Sequence, residues 1–141
     1  YSGQCDIGIG NTYYMGKMQT NRKKRAQRKW AASIRLVFPN QAGRGAHVNI
    51  SGAAIIRGAR NRANALKLIE FLSGDFAQKF YADQNFEYPV KPGVPVNPLV
   101  RSWGDFKADT ISLAAVAKHR REASKLVDLV DFNNFTKSSN N

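Results

Sequence analysis

CDIGIGNTYYMGKM, residues 5–18, decides how the rest of the chain is read. CDIGIG has the apolar, glycine-punctuated character of a short buried strand whose backbone is approached closely. TYYMGKM then opens a helix, with Asn11 or Thr12 as its cap. Neighbouring side chains on a strand point to opposite faces, and on a helix they diverge by about 100°. Tyr13 and Tyr14 can therefore reach one ligand only from a turn or the first turn of a helix, which is where this sequence puts them.

A phenol ionises near pH 10, so removing its proton at neutral pH costs about 4 kcal/mol. A hard, highly charged cation offsets that cost, because coordination deprotonates acidic ligands and oxygen donors suit hard metals. Ferric ion is the natural candidate, tyrosinate being a known iron ligand. Two phenolates fill only two of about six positions around an octahedral ion. Lys17 would favour ionised phenols yet repel the cation, so it receives no role.

Outward from this stretch, IRLVFP (34–39) and HVNISGAAII (47–56) read as strands. NQAGRG (40–45) is a loop between them. A helix is expected from Asn61, with Ala65, Leu68, Ile69 and Leu72 at helical spacing and Ser73-Gly74 as its stop. A shorter one over 75–84 would bury Phe76, Phe80 and Tyr81. Residues 85–98 hold four of the five prolines and read as an extended connector. Ser112 caps a last helix striped by Leu113, Val116, Ala123, Val127 and Val130, without a capping box because Ala115 stands where Glu would. TKSSNN (136–141) reads as a disordered polar tail. Strands separated by helices give an α/β class.

The chain has 141 residues, 43% of them hydrophobic, and a net charge of +12. Such a composition fits a globular protein. Residues 1–69 carry 13 Lys and Arg against one acid, Asp6, whereas residues 70–141 carry nine of each. Six of the cations lie in NRKKRAQRK (21–29), and Arg57, Arg60 and Arg62 form a second group. A field of this kind attracts anions, nucleic acid and anionic lipid included, in a salt-dependent way. On a continuous helix the charges at 22–25, 28 and 29 would spread around most of the circumference, and no aromatic residue interleaves them for base stacking.

Other motifs carry less. Cys5, the sole cysteine, excludes an internal disulfide and a CxxC pair, and reads as a small buried apolar residue. Tyr13 and Lys17 match the YxxxK spacing of short-chain dehydrogenases, but the third glycine of a dinucleotide fingerprint starting at Gly8 and Gly10 would fall on Tyr13. His47 and His119 lack a second ligand at helical spacing and read as surface residues. Asn49-Ile50-Ser51 and Asn134-Phe135-Thr136 match the glycosylation pattern by chance. No apolar run approaches the roughly 20 residues of a membrane span.

Together with VFPNQAGRGAHVNISGAAI (37–55), LIEFLSGDFAQKFYADQNFEYPVKPGV (68–94) and SWGDFKADTISLAAVAKHR (102–120), the opening stretch closely resembles the bacterial periplasmic ferric iron-binding proteins. These are substrate-binding subunits of iron-uptake ABC transporters, and they are not enzymes. The resemblance covers nearly all of the chain and matches the C-terminal part of that family. It implies a two-lobed, type II periplasmic binding protein-like fold of which only the C-terminal part is present. Tyr13 and Tyr14 would bind Fe(III), and Asn11 would help hold a synergistic anion such as phosphate or carbonate. An inner-membrane permease and the family's N-terminal half, which brings the remaining ligands, are the implied partners, in the periplasm. By the same likeness residues 1–43 belong to the C-terminal lobe, 44–93 hold the hinge crossings and a segment of the N-terminal lobe, and 94–141 return to the C-terminal lobe. The alternative is a module binding polyanions or nucleic acid through the basic first half.

Overall fold

The structure, a computed structural model, describes residues 2–3 and 5–132 of the chain. Six helices follow in order among them: α1 (Thr12–Gln19), α2 (Arg25–Ala32), α3 (Arg62–Leu72), α4 (Asp75–Asn85), α5 (Pro98–Arg101) and α6 (Leu113–Leu129).

Local chemistry accounts for their ends. α3 stops where Ser73 turns its hydroxyl back onto the carbonyl of Ile69. α6 starts where the Ser112 hydroxyl accepts from the Ala115 amide at 3.2 Å, the cap expected from sequence. The start of α2 is organised by Asn21, whose side-chain oxygen accepts from the Lys23 and Lys24 amides at 3.1 and 2.9 Å. α5 is an addition to the sequence reading, which ran the connector through to Pro98. Its signal is Asn97-Pro98: the Asn97 side chain accepts from the Leu99 amide, and proline occupies the first helical position.

The three expected strands are not strands among the described residues. Residues 5–10, 34–39 and 47–56 carry no regular secondary structure, and the β pairing found is one isolated parallel bridge, Ala46 to Ala108. The α/β class is thus not expressed in this chain's own hydrogen bonding. The reason is physical: a helix closes its bonds within one segment, whereas a strand exists only against a partner. Several apolar side chains of these segments remain open, with Ile9 95%, Ile7 87% and Ile56 76% exposed. Cys5, expected inside, is exposed for the same reason.

Phe76, Phe80 and Tyr81, expected to be buried by α4, are likewise exposed, and α4 covers Ala77 and Ala82 instead. The stripe of α6 is present in sequence but no residue of that helix is buried. The tail at 136–141 and the Asn134 motif lie outside the described residues. The chain's accessible surface of 12383 Å² greatly exceeds the roughly 7,300 Å² that a compact monomer of this mass exposes.

What packing there is converges on two places. α1 lies against α2 and touches α4, with Met15 and Ala31 buried between them. Gly16 makes the α1–α4 approach possible, since a Cβ there would stand 2.4 Å from the Phe86 ring. The second place is a clasp between 39–47 and 105–109. Ala46 donates to the Lys107 carbonyl and Asp109 to the Ala46 carbonyl, both at 2.8 Å. Gln41 donates to the Lys107 carbonyl and accepts from its amide. Phe106 stacks on Phe38 at 4.5 Å and meets Tyr88 edge-on, so three distant stretches of chain share one aromatic cluster.

Candidate functional site

The first turn of α1 carries the candidate site. Asn11 has extended dihedrals and precedes the helix, but its side chain makes no capping bond. It is the helix-start residue the sequence offered, without the cap chemistry. Its side-chain oxygen instead accepts from Asn49, at 3.5 Å. Asn49 belongs to a shallow depression also lined by His47, Asp109 and Ile111, so Asn11 faces the segment that leaves the clasp.

At about 100° per residue, Met15, Gly16 and Gln19 share one side of α1, while Tyr13, Lys17 and Tyr14 fall within an arc of about 100° on the other. The first side is the packed one: Met15 and Gly16 are buried, and Gln19 accepts from the Trp103 indole at 3.1 Å. Packing thus turns both tyrosines outward together. Their ring centroids lie 4.3 Å apart with planes at 44°, Tyr13 half-buried and Tyr14 54% exposed. The two rings thus lie side by side in the first turn of α1.

Electrostatics distinguish the pair from ordinary packing residues. The Tyr13 phenol beside it, by hydrogen bonding and then by charge, raises the Tyr14 pKa above its usual value near 10. Lys17 sits with its ammonium 4.8 Å from the centroid of the Tyr13 ring, over the ring face. The YxxxK resemblance to a dehydrogenase finds no dinucleotide fingerprint to accompany it.

No group of three or more His, Cys, Asp or Glu side chains able to hold a metal occurs among the described residues. His47 and His119 are exposed. His47 lies close enough to Asp109 to act on that carboxylate, which is held low chiefly by the Ile111 amide and then by Arg44. Sequence reasoning missed the contacts of Asn49 with Asn11 and of Gly16 with Phe86. The glycine one turn past Thr12 was the available signal for the second. No helix among the described residues is long and apolar enough to cross a membrane.

Comparison with known proteins follows the same lines. No protein-family model matches the sequence. The chain is 45% identical over 127 residues to "Iron uptake protein A1" of Synechocystis, a match over 90% of this chain and 35% of that protein. The open-conformation ferric iron-binding protein A of Mannheimia haemolytica superposes with a TM-score of 0.80 at 48% identity, over 90% of this chain and 39% of that one. The Trichodesmium protein solved in complex with iron and citrate ligands gives 0.83 at 38% identity, over 89% and 39%. The chain therefore spans little more than a third of the length of these relatives.

Proposed function

Because this chain belongs to the family of the ferric iron-binding proteins, we propose that Tyr13 and Tyr14 bind Fe(III) as phenolates and that the protein carries iron for uptake. One observation carries the reading: two phenol rings 4.3 Å apart, turned outward from the first turn of a helix whose opposite side is packed. The Trichodesmium relative, solved with iron and citrate, supports iron as the cargo and an organic or inorganic anion beside it.

A free phenol needs about 4 kcal/mol to ionise at neutral pH, and the Tyr13 phenol raises the Tyr14 pKa further. A trivalent cation reverses the sign of that effect, since the two negative oxygens then face a common positive charge. Asn11, whose side-chain oxygen accepts from Asn49 and leaves its amide group free to donate, is the residue proposed to contact phosphate, carbonate or a comparable anion. The remaining ligands come from the longer protein of which this chain is the C-terminal portion. In that protein residues 1–43 and 94–141 would form the lobe carrying the tyrosines, and 44–93 would cross to the other lobe and return. The exposed apolar segments at 5–10, 34–39 and 47–56 fit strands that pair with that other part.

Closure of the lobes would complete the coordination, and an inner-membrane ABC permease would receive the iron in the periplasm. A ligand shifts such an open-to-closed balance only by its differential affinity for the two states. The protein is a carrier, with no catalytic step. The test is optical. Iron-loaded full-length protein is expected to show phenolate-to-iron charge-transfer colour, and Tyr13→Phe with Tyr14→Phe is expected to abolish it. Undiminished colour in the double variant would remove the assignment of these residues.

A further inference from the structure

The iron reading leaves the basic segment unused, and the structure changes what that segment can do. Read as one helix, its charges would surround the axis. In the structure α2 begins only at Arg25, and residues 22–24 belong to the turn that Asn21 organises. On α2 itself, Arg25, Arg28 and Lys29 fall within an arc of about 100°. Gln27 and Ala31, the half-buried and buried residues that seat the helix on α1, lie on the far side. Arg22, Lys23, Lys24, Arg25, Arg28 and Lys29 are all exposed. The result is a single outward cationic face, extended by the turn.

We propose that residues 22–24 and the outward face of α2 dock this protein on the surface of an anionic lipid bilayer. Clusters of four to eight Lys and Arg on an amphipathic helix suit a laterally mobile sheet of negative headgroups, which needs no fixed spacing between its charges. Arg22, Lys23, Lys24, Arg25 and Arg28 have no acidic partner among the described residues, so docking breaks no ion pair of theirs. Trp30, 43% exposed, falls nearly opposite the centre of the cationic arc at about 100° per residue and takes no part in the docking face. A nucleic acid is the weaker match, because no aromatic ring lies between the cations to stack on a base. An acidic protein would require a fixed, complementary array of carboxylates. The patch sits on the helix that packs against α1, so attachment would hold the tyrosine-bearing end near the membrane. The attachment does not depend on iron.

Cosedimentation with vesicles tests it. The full chain is mixed with vesicles of phosphatidylglycerol and phosphatidylcholine, and separately with pure phosphatidylcholine. Binding to the anionic vesicles alone is expected, lost at about 0.5 M salt as screening shortens the field. Each cation near such a surface strengthens attachment about five-fold, so R25Q/R28Q/K29Q is expected to weaken partitioning on the order of a hundred-fold. R57Q/R60Q/R62Q removes the same charge elsewhere and is expected to change it only a few-fold. Equal binding to pure phosphatidylcholine, equal loss in both triple variants, or tighter binding to a random-sequence DNA duplex at the same salt would each overturn the proposal. Iron-dependent colour in the same variants reports separately on Tyr13 and Tyr14.

Discussion

The clasp at 39–47 and 105–109 and the segment at 5–10 are both built from short non-helical stretches, polar and charged in the clasp and mostly apolar in 5–10. One is locked and the other is open. In the clasp, backbone amides of Ala46 and Asp109 find carbonyl partners at 2.8 Å, and Arg44 reaches Asp109. In residues 5–10, Ile7 and Ile9 project into solvent and neither Gly8 nor Gly10 has an atom near the place of a Cβ. The difference teaches that an apolar stretch does not order itself as a strand without a backbone partner, whereas even a polar one is fixed when partners stand alongside.

Glycine substitutions give the widest separation between the two. Gly45 has φ +99°, and a Cβ on it would lie 2.6 Å from the Lys107 carbonyl oxygen, a backbone atom that cannot swing aside. Gly45→Ala is expected to cost about 3 kcal/mol, combining left-handed strain with overpacking. Gly8→Ala meets nothing within 4 Å and is expected to be neutral or to stabilise by less than about 1 kcal/mol. Urea unfolding of the two variants measures the gap. Equal midpoints would mean that the clasp is no more ordered than the free segment.

Side-chain truncation gives the next largest contrast. Val100 is 0% exposed, in α5, so Val100→Ala should cost about 2 kcal/mol from lost burial and the cavity left behind. Ile9 is 95% exposed, and Ile9→Ala should stay within about 0.5 kcal/mol in this chain. The same Ile9→Ala made in the full-length protein should become costly if residues 5–10 pair there as a strand. A cost that stays near zero in both would break the reading of 5–10 as a strand waiting for its partner.

How much was legible follows the same division. α1, α3, α4 and α6 could be read from caps, stops and periodicity, because a helix answers to its own neighbours within four residues. Ser112 and Ser73 do in the structure what their positions promised. The side-by-side placement of Tyr13 and Tyr14 follows from where α1 starts together with the packing of Met15 and Gly16 on its other side. The burial of Phe76 and Phe80 was misjudged, since periodicity identifies an apolar face but cannot say what covers it. The cationic face of α2 was obscured by treating 21–29 as one helix, when the Asn21 turn delays the start to Arg25. The clasp was not legible at all, joining residues more than sixty positions apart.

The smallest expected effect is a pH dependence that belongs to the clasp alone. Asp109 accepts from the Ile111 amide at 3.0 Å through one oxygen and from Arg44 at 2.6 Å through the other. These bonds, the amide's first, hold its pKa below the usual carboxylate value. A depressed folded-state pKa binds fewer protons than the unfolded chain, so the stabilisation is present above the unfolded value near 4 and is lost as pH falls through the folded one. Arg44 is 63% exposed, which keeps the ion-pair part small. Asp83, lowered by Lys79 and by Asn97, acts in the same direction and supplies the background slope. Unfolding midpoints measured downward from pH 5 should therefore decline less steeply in Asp109→Asn than in the parent, and less steeply still with Asp83→Asn added. An unchanged acid slope in Asp109→Asn would mean that the carboxylate spends its time away from Ile111 and Arg44, and that backbone pairing of Ala46 with the 107–109 segment holds the clasp by itself.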